Sequence, residues 1–239
     1  MAWGREFYMS ESQVTTTLGD ILVCQEFSNR NSDGTMNGDN FKIRTGQAIF
    51  SWMIKSSSNS EHAAIVYKGW GADNADSGRI CDANVGQTEN DQPFRGVAVR
   101  KWSPRDTYVY RCNNAALRGE AGNIAKVIAT KVATDANSGG RYDWDAAAKC
   151  VPKFKYVDKV SIEFVDKCYN FAYGLNGVTV FPGMFCSEFV VVCYLVAAKR
   201  LDLRLGELDV DPRAISPKAL QSLLERSSLF GRRLGRTLP

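Results

Sequence analysis

The chain has a single histidine, no Cys-x-x-C pair and no large excess of either charge sign, and each shortage removes a class of function. One imidazole without clustered cysteine spacing leaves no ligand set for a structural zinc, and neither a metal nor another cofactor is expected. Thirty Lys and Arg against 26 Asp and Glu leave a net charge of +4, too mild to argue for a nucleic-acid partner. The longest apolar run, FVVVCYLVAA, is about half of what a membrane span needs, so no stable membrane insertion is expected. The opening MAWGREFYMSESQ has no apolar stretch behind a basic start, so no classical signal peptide is expected either. Seven cysteines, at 24, 81, 112, 150, 168, 186 and 193, form an odd set too sparse over 239 residues for a disulfide framework. Synthesis in a reducing cytoplasm fits them best.

What is present suffices for a globular fold. Hydrophobic residues make up 44% of the 239, enough to bury a substantial core. No repeat or strong domain boundary interrupts the chain, which reads as a single domain over 1–239 with a core at about 19–224 and a basic tail at 225–239. GDILVC (19–24) is a short apolar strand, followed by a polar loop at 28–40. TGQAIFSWMIKSS places Ile49, Phe50, Met53 and Ile54 on one helical face, with Thr45 as a cap. HAAIVY (62–67) and RICDANV (79–85) read as a hairpin around a long Gly/Asn/Asp loop, and VAVRKW (97–102) with TYVYRC (107–112) as a second pair extending one antiparallel meander. From about 115 the period turns helical, with Ala121, Ile124, Ala125, Ile128 and Val132 on one stripe. Further helices are expected in VSIEFVDKCYNFAYG, behind PGMF, and in SPKALQSLLERS, where Ser216 caps and Pro217 starts. The fold class is therefore α+β, an antiparallel sheet packed against helices, and the final LFGRRLGRTLP is expected to be loosely held.

Chemistry concentrates where PGMF meets CSEFVVVCYL. Cys186 falls in the first turn of the helix, where unpaired N–H groups and the positive end of the macrodipole favour an anion. A thiol needs that help, since an unperturbed one ionises near ~8.5 and reactive ones reach ~3.5 to 7.5. The backbone N–H groups of Cys186 and Ser187 are equally placed to bind an oxyanion. Cys193, two turns deeper among Val190, Val192 and Val196, is expected to be an inert core thiol, and Glu188 a dipole partner in the first turn. The plainer alternative is that Cys186 is itself a small buried hydrophobe.

A base for Cys186 has to be His62, at the head of a strand, because there is no other histidine. A carboxylate holding its second nitrogen would complete a relay. Pairing Lys68 with Asp76 across the hairpin sets His62 opposite Asp82 on one face, while neighbouring registers offer Asn84, Asp76 or Asp73.

The order of these parts, a Gly-Asp strand, HAAIVY, RICDA, YDW at 142–144, FCSEFV and lastly ISPKAL, resembles the circularly permuted branch of the NlpC-type papain-like amidases, in which the histidine precedes the cysteine. The resemblance spans about Gly19 to Leu224 and implies a papain-like fold with Cys186 as nucleophile, His62 as general base and later acid, and Asp82 as the residue orienting His62. It implies acyl chemistry, with relatives that cut amide bonds in peptidoglycan stem peptides and others, similar to lecithin:retinol acyltransferase, that act on lipids or thioesters. Because no amphipathic anchor is evident, amide hydrolysis is expected first. Toxins of this type are delivered to the periplasm of rival cells by type VI-like secretion, which implies a secretion-machine component and an immunity protein as partners. Outside enzymology, the chain would be a non-catalytic binding scaffold with Arg226, Arg232, Arg233 and Arg236 as a contact patch.

Overall fold

The computed structural model describes residues 14–24, 62–69, 78–102, 107–147, 161–230 and 234–237. The expected helix at 45–57, the polar loop at 28–40, Cys150, and Asp73 and Asp76 lie outside these residues. The strands are β1 (Ile21–Cys24), β2 (His62–Lys68), β3 (Arg79–Gln87), β4 (Pro93–Lys101), β5 (Thr107–Tyr110) and β6 (Gly235–Thr237). The helices are α1 (Ala115–Thr134), α2 (Ile162–Tyr173), α3 (Cys186–Arg200) and α4 (Pro217–Arg226), with short 3-10 turns at Gly206–Leu208 and Pro212–Ala214.

Five antiparallel strands form one sheet, and short β6 extends it at one edge, in the order β4-β3-β2-β1-β5-β6. Side-chain alternation divides the sheet into two faces. Ile21, Val23, Ala63, Ile65, Cys81, Ala83, Val97 and Val99 join the main core with α1, α2 and α3. Leu22, Ala64, Val66, Ile80 and Val109 form a second cluster on the reverse face, with Val14 and Trp102 against it. β1 is buried at every position, so its side chains need cover on both faces and its backbone needs a strand on both edges.

That demand corrects two expectations. TYVYRC does not pair with VAVRKW: β4 pairs only with β3 among the strands, and β5 crosses to the open edge of β1, Leu22 opposite Val109. Alternating polarity identifies a strand and its faces without naming its neighbour. Nor is the described part of the C-terminal tail loose. The backbone at 235–237 pairs with β5, and Phe230 is buried against Tyr194. An otherwise open edge of β5 supplies the donors and acceptors that hold this stretch, whatever its side-chain charge.

The helices form where their caps and stripes place them. Asn114 accepts from Leu117 N at 3.0 Å to start α1, whose Ala121, Ile124, Ala125, Ile128 and Val132 are all buried. Ser161 starts α2, and left-handed Gly174 ends it. Ser216 Oγ accepts from Ala219 N at 3.2 Å with Pro217 as the first residue of α4. α3 is buried from Cys186 to Ala198, so it shows no amphipathic stripe and runs through the middle of the helical layer. None of the described helices is long and apolar enough to cross a membrane.

Candidate active site

The structure brings Cys186, His62 and Asp82 together. Asp82 alternates with Cys81 and Ala83, which face the helices, so its side chain leaves β3 on the reverse face. Cys186 comes from the helical layer as the first residue of α3. His62, the first residue of β2, lies between them: its Nε2 is 2.7 Å from Asp82 Oδ2, and Cys186 is near enough to favour the imidazolium.

The expected hairpin register does not hold. Ile65 sits opposite Cys81 and Val66 opposite Ile80, with a shift before Lys68, which faces Arg79. Continued towards the strand head, that register sets Asp82 beside Ala64 and makes Asp82 a diagonal neighbour of His62, not a directly opposed one. A slip of two residues keeps both side chains on one face, and diagonal neighbours on a sheet are still within reach of an imidazole. Asn84, an alternative at the level of sequence, contributes its backbone: Asn84 O accepts from Arg100 Nη2 at 2.9 Å.

All three residues are 5% exposed or less, so their charges act on one another with little solvent screening. Burial is the largest influence on His62 and opposes its protonation. The charge of Cys186, the hydrogen bonds to Asp82 and Cys186 and the charge of Asp82 outweigh it, and the imidazole titrates well above its usual 6.5. For Asp82, burial again weighs most and favours the neutral acid, but the Arg100 guanidinium and the bond and charge of His62 hold the carboxyl below its usual range. An imidazolium beside an ionised Asp82 is therefore the favoured state near neutral pH.

Arg100 has no counterpart in the sequence reading. It lies on β4 and donates from Nε to Asp82 Oδ1 at 2.7 Å. Its signal is nonetheless present: a charge that directly follows the apolar run Val97–Val99 on a strand has to be paired if the strand buries it.

Backbone hydrogen bonds fix where α3 begins. Residues 139–142 run along the outer edge of β4, with Val97 N donating to Gly140 O at 2.9 Å and Gly96 bridged to Arg141. The PGMF segment docks on the far side of 139–142, with Gly140 N donating to Phe181 O at 2.9 Å and Met184 N to Arg141 O at 3.2 Å. The approach is close enough that a Cβ on Gly96 would lie 2.4 Å from Gly140 O, and one on Gly139 2.3 Å from Phe181 O. YDW is thus part of the strap that places Cys186, through Asp143 N donating to Met184 O at 3.2 Å.

Cys186 and Ser187 occupy the first two positions of α3, where N–H groups have no acceptor within the helix. The Ser187 hydroxyl donates to Ile215 O at 2.6 Å and ties this turn to the segment before α4. Glu188 is not the charged dipole partner expected. It is buried, accepts from Phe185 N at 3.4 Å, and burial pushes its carboxyl up to about 8, so it is mostly protonated at neutral pH. Cys193 is fully buried, and burial first, then the charges of Cys81 and Cys168, push its thiol well above the usual range. Among the described residues no group of three or more His, Cys, Asp or Glu side chains is arranged to hold a metal ion. No protein-family model, curated protein or solved structure matches the chain.

Proposed function

We propose that the protein is a cysteine hydrolase of the circularly permuted papain-like type that cleaves an amide bond, with Cys186 as nucleophile, His62 as general base and acid, and Asp82 orienting the imidazole. The observation that carries this is the convergence of a thiol at a helix N-terminus, one imidazole and a buried carboxylate, with Nε2 and Oδ2 2.7 Å apart. In the first step a bond forms between Sγ and the acyl carbon, negative charge moves to the carbonyl oxygen near the N–H groups of Cys186 and Ser187, and the C–N bond breaks as His62 protonates the leaving amine. Water then attacks the thioester and gives a proton to His62, the C–S bond breaks, and the acid leaves with Cys186 restored as a thiolate beside the imidazolium.

Peptidoglycan stem peptides are the substrate class this reading puts first, on the strength of the order of motifs from HAAIVY to FCSEFV. The same resemblance favours delivery by a type VI-like secretion machine to the periplasm of a target cell, with an immunity protein protecting the producer. The test is digestion of purified peptidoglycan with the wild type and Cys186→Ala, products read by mass spectrometry. New peptide termini from the wild type alone are expected. No new fragment from the wild type, with hydrolysis of thioester or lipid acyl substrates in its place, would refute the amide assignment.

A further inference from the structure

Arg100 is an expensive residue to place where it is. It is 6% exposed, and among the described residues its guanidinium is spread over three acceptors: Nε to Asp82 Oδ1 at 2.7 Å, and Nη2 to Asn84 O at 2.9 Å and Gly96 O at 3.0 Å. A buried cation held this way has a plain structural use, since it neutralises a buried carboxylate. Two details go further. The grip on Asp82 runs through a single oxygen, not through the fork that binds both, so Oδ2 stays committed to His62. And among the described residues the guanidinium belongs to a line of four ionisable groups, Arg100, Asp82, His62 and Cys186.

We propose that Arg100 is a positioning residue for the Cys186 nucleophile, holding Asp82 as an anion aimed at His62 and setting a positive charge behind the thiolate–imidazolium pair. This rests on the proposed role of Cys186. With all four groups ionised the signs alternate, plus, minus, plus, minus. Without the guanidinium, the thiolate, imidazolium and carboxylate lose one positive charge in a poorly screened site, which disfavours the thiolate. Loss of Arg100 therefore moves formation of the thiolate to higher pH. The guanidinium touches neither sulfur nor acyl carbon, so it acts through Asp82 and His62. Its two bonds to backbone carbonyls, Asn84 O on β3 and Gly96 O on β4, fix it at the point where 139–142 docks.

The experiment is the pH dependence of iodoacetamide alkylation at Cys186, located by peptide mass mapping, in the full chain. Arg100→Gln is expected to raise the midpoint by about one pH unit, roughly tenfold less reactive thiolate on the acid side. Arg100→Lys, which retains the charge, is expected to restore more than half of that shift. In an Asp82→Asn background, Arg100→Gln is expected to move the midpoint by less than half as much. An unchanged midpoint in Arg100→Gln, or an equal shift in both backgrounds, overturns the proposal. If Arg100→Gln does not fold, Arg100→Lys decides: a displaced midpoint with Asp82 present and none with Asn supports it, and no difference between backgrounds overturns it. His62→Ala run in parallel separates the two claims, because a wild-type profile identical to that of His62→Ala refutes the nucleophile itself, whatever Arg100 does.

Discussion

Substituting Glu188 by Gln should make the protein more stable at pH 8 than the wild type while leaving it nearly unchanged at pH 5. Glu188 is buried in the first turn of α3, where burial first, then the nearby charges of Asp143 and Asp211, outweigh the Phe185 N–H bond and Arg213 and lift its carboxyl from 4.5 to about 8. Its folded-state pKa is raised, so the native protein holds a proton that the unfolded chain releases above 4.5. The stability this group contributes is complete below 4.5 and is lost as the pH rises through about 8. At about 1.4 kcal/mol per pH unit, the loss between pH 5 and pH 8 comes to about 3 kcal/mol. Gln keeps an oxygen for the Phe185 N–H and cannot ionise, so its curve lacks this slope. Urea unfolding followed by circular dichroism at four pH values from 5 to 8 measures both curves. Parallel curves for the two proteins would show that Glu188 is ionised in the fold and would refute the reasoning.

Because His62 is the sole histidine, its imidazole signals in an NMR titration are unambiguous. The midpoint is expected well above 6.5, and Asp82→Asn should lower it by removing a bond and a charge that both favour the imidazolium. A wild-type midpoint at or below the ordinary value would contradict the buried contact chain. Gly96→Ala should slow alkylation of Cys186 and destabilise the fold by about 1–3 kcal/mol, since its Cβ would stand 2.4 Å from Gly140 O and push back the strap that seats α3. Unchanged reactivity and melting temperature in that variant would mean that the strap does not set the position of the thiol.

Much of this arrangement is legible in the residues, and the failures have physical causes. The strands at 21–24, 62–68 and 79–87 follow from short apolar runs bounded by turn residues, and the α1 stripe from period-3.6 hydrophobicity; both tolerate errors at the ends. The pairing of His62 with Asp82 survives a wrong register because the error was two residues, an even number, and the sheet repeats its faces every two. β5 was misplaced since nothing in TYVYRC distinguishes the edge of β4 from the edge of β1; the choice is made by the burial of ILVC, a long-range condition. The tail was judged by its arginines, whereas β6 is held by backbone groups that carry no sequence signature. Arg100 and Glu188 are the instructive cases. Each is a buried charged residue at the border of an apolar run, and each resolves the cost of burial differently: Arg100 by pairing with Asp82, Glu188 by keeping its proton.

His62 and Cys186 are remote in sequence and reside in different layers, so their contact depends on whatever fixes the start of α3 against the sheet. Side-chain packing alone would let a wholly buried apolar helix slide, because its surface offers the same kind of contact in several positions. Backbone bonds remove that freedom. From β3 to β4, from β4 to 139–142 and from there to 181–184, each step is a ladder of N–H and C=O pairs whose period admits no intermediate register. Arg100 ties the same ladder to the carboxylate through Gly96 O, and Ser187 ties the opposite side of the first turn to Ile215 O. The thiol and the imidazole are therefore aligned by main-chain geometry, and substitutions along the ladder should change the rate of Cys186 chemistry without altering any of the groups that perform it.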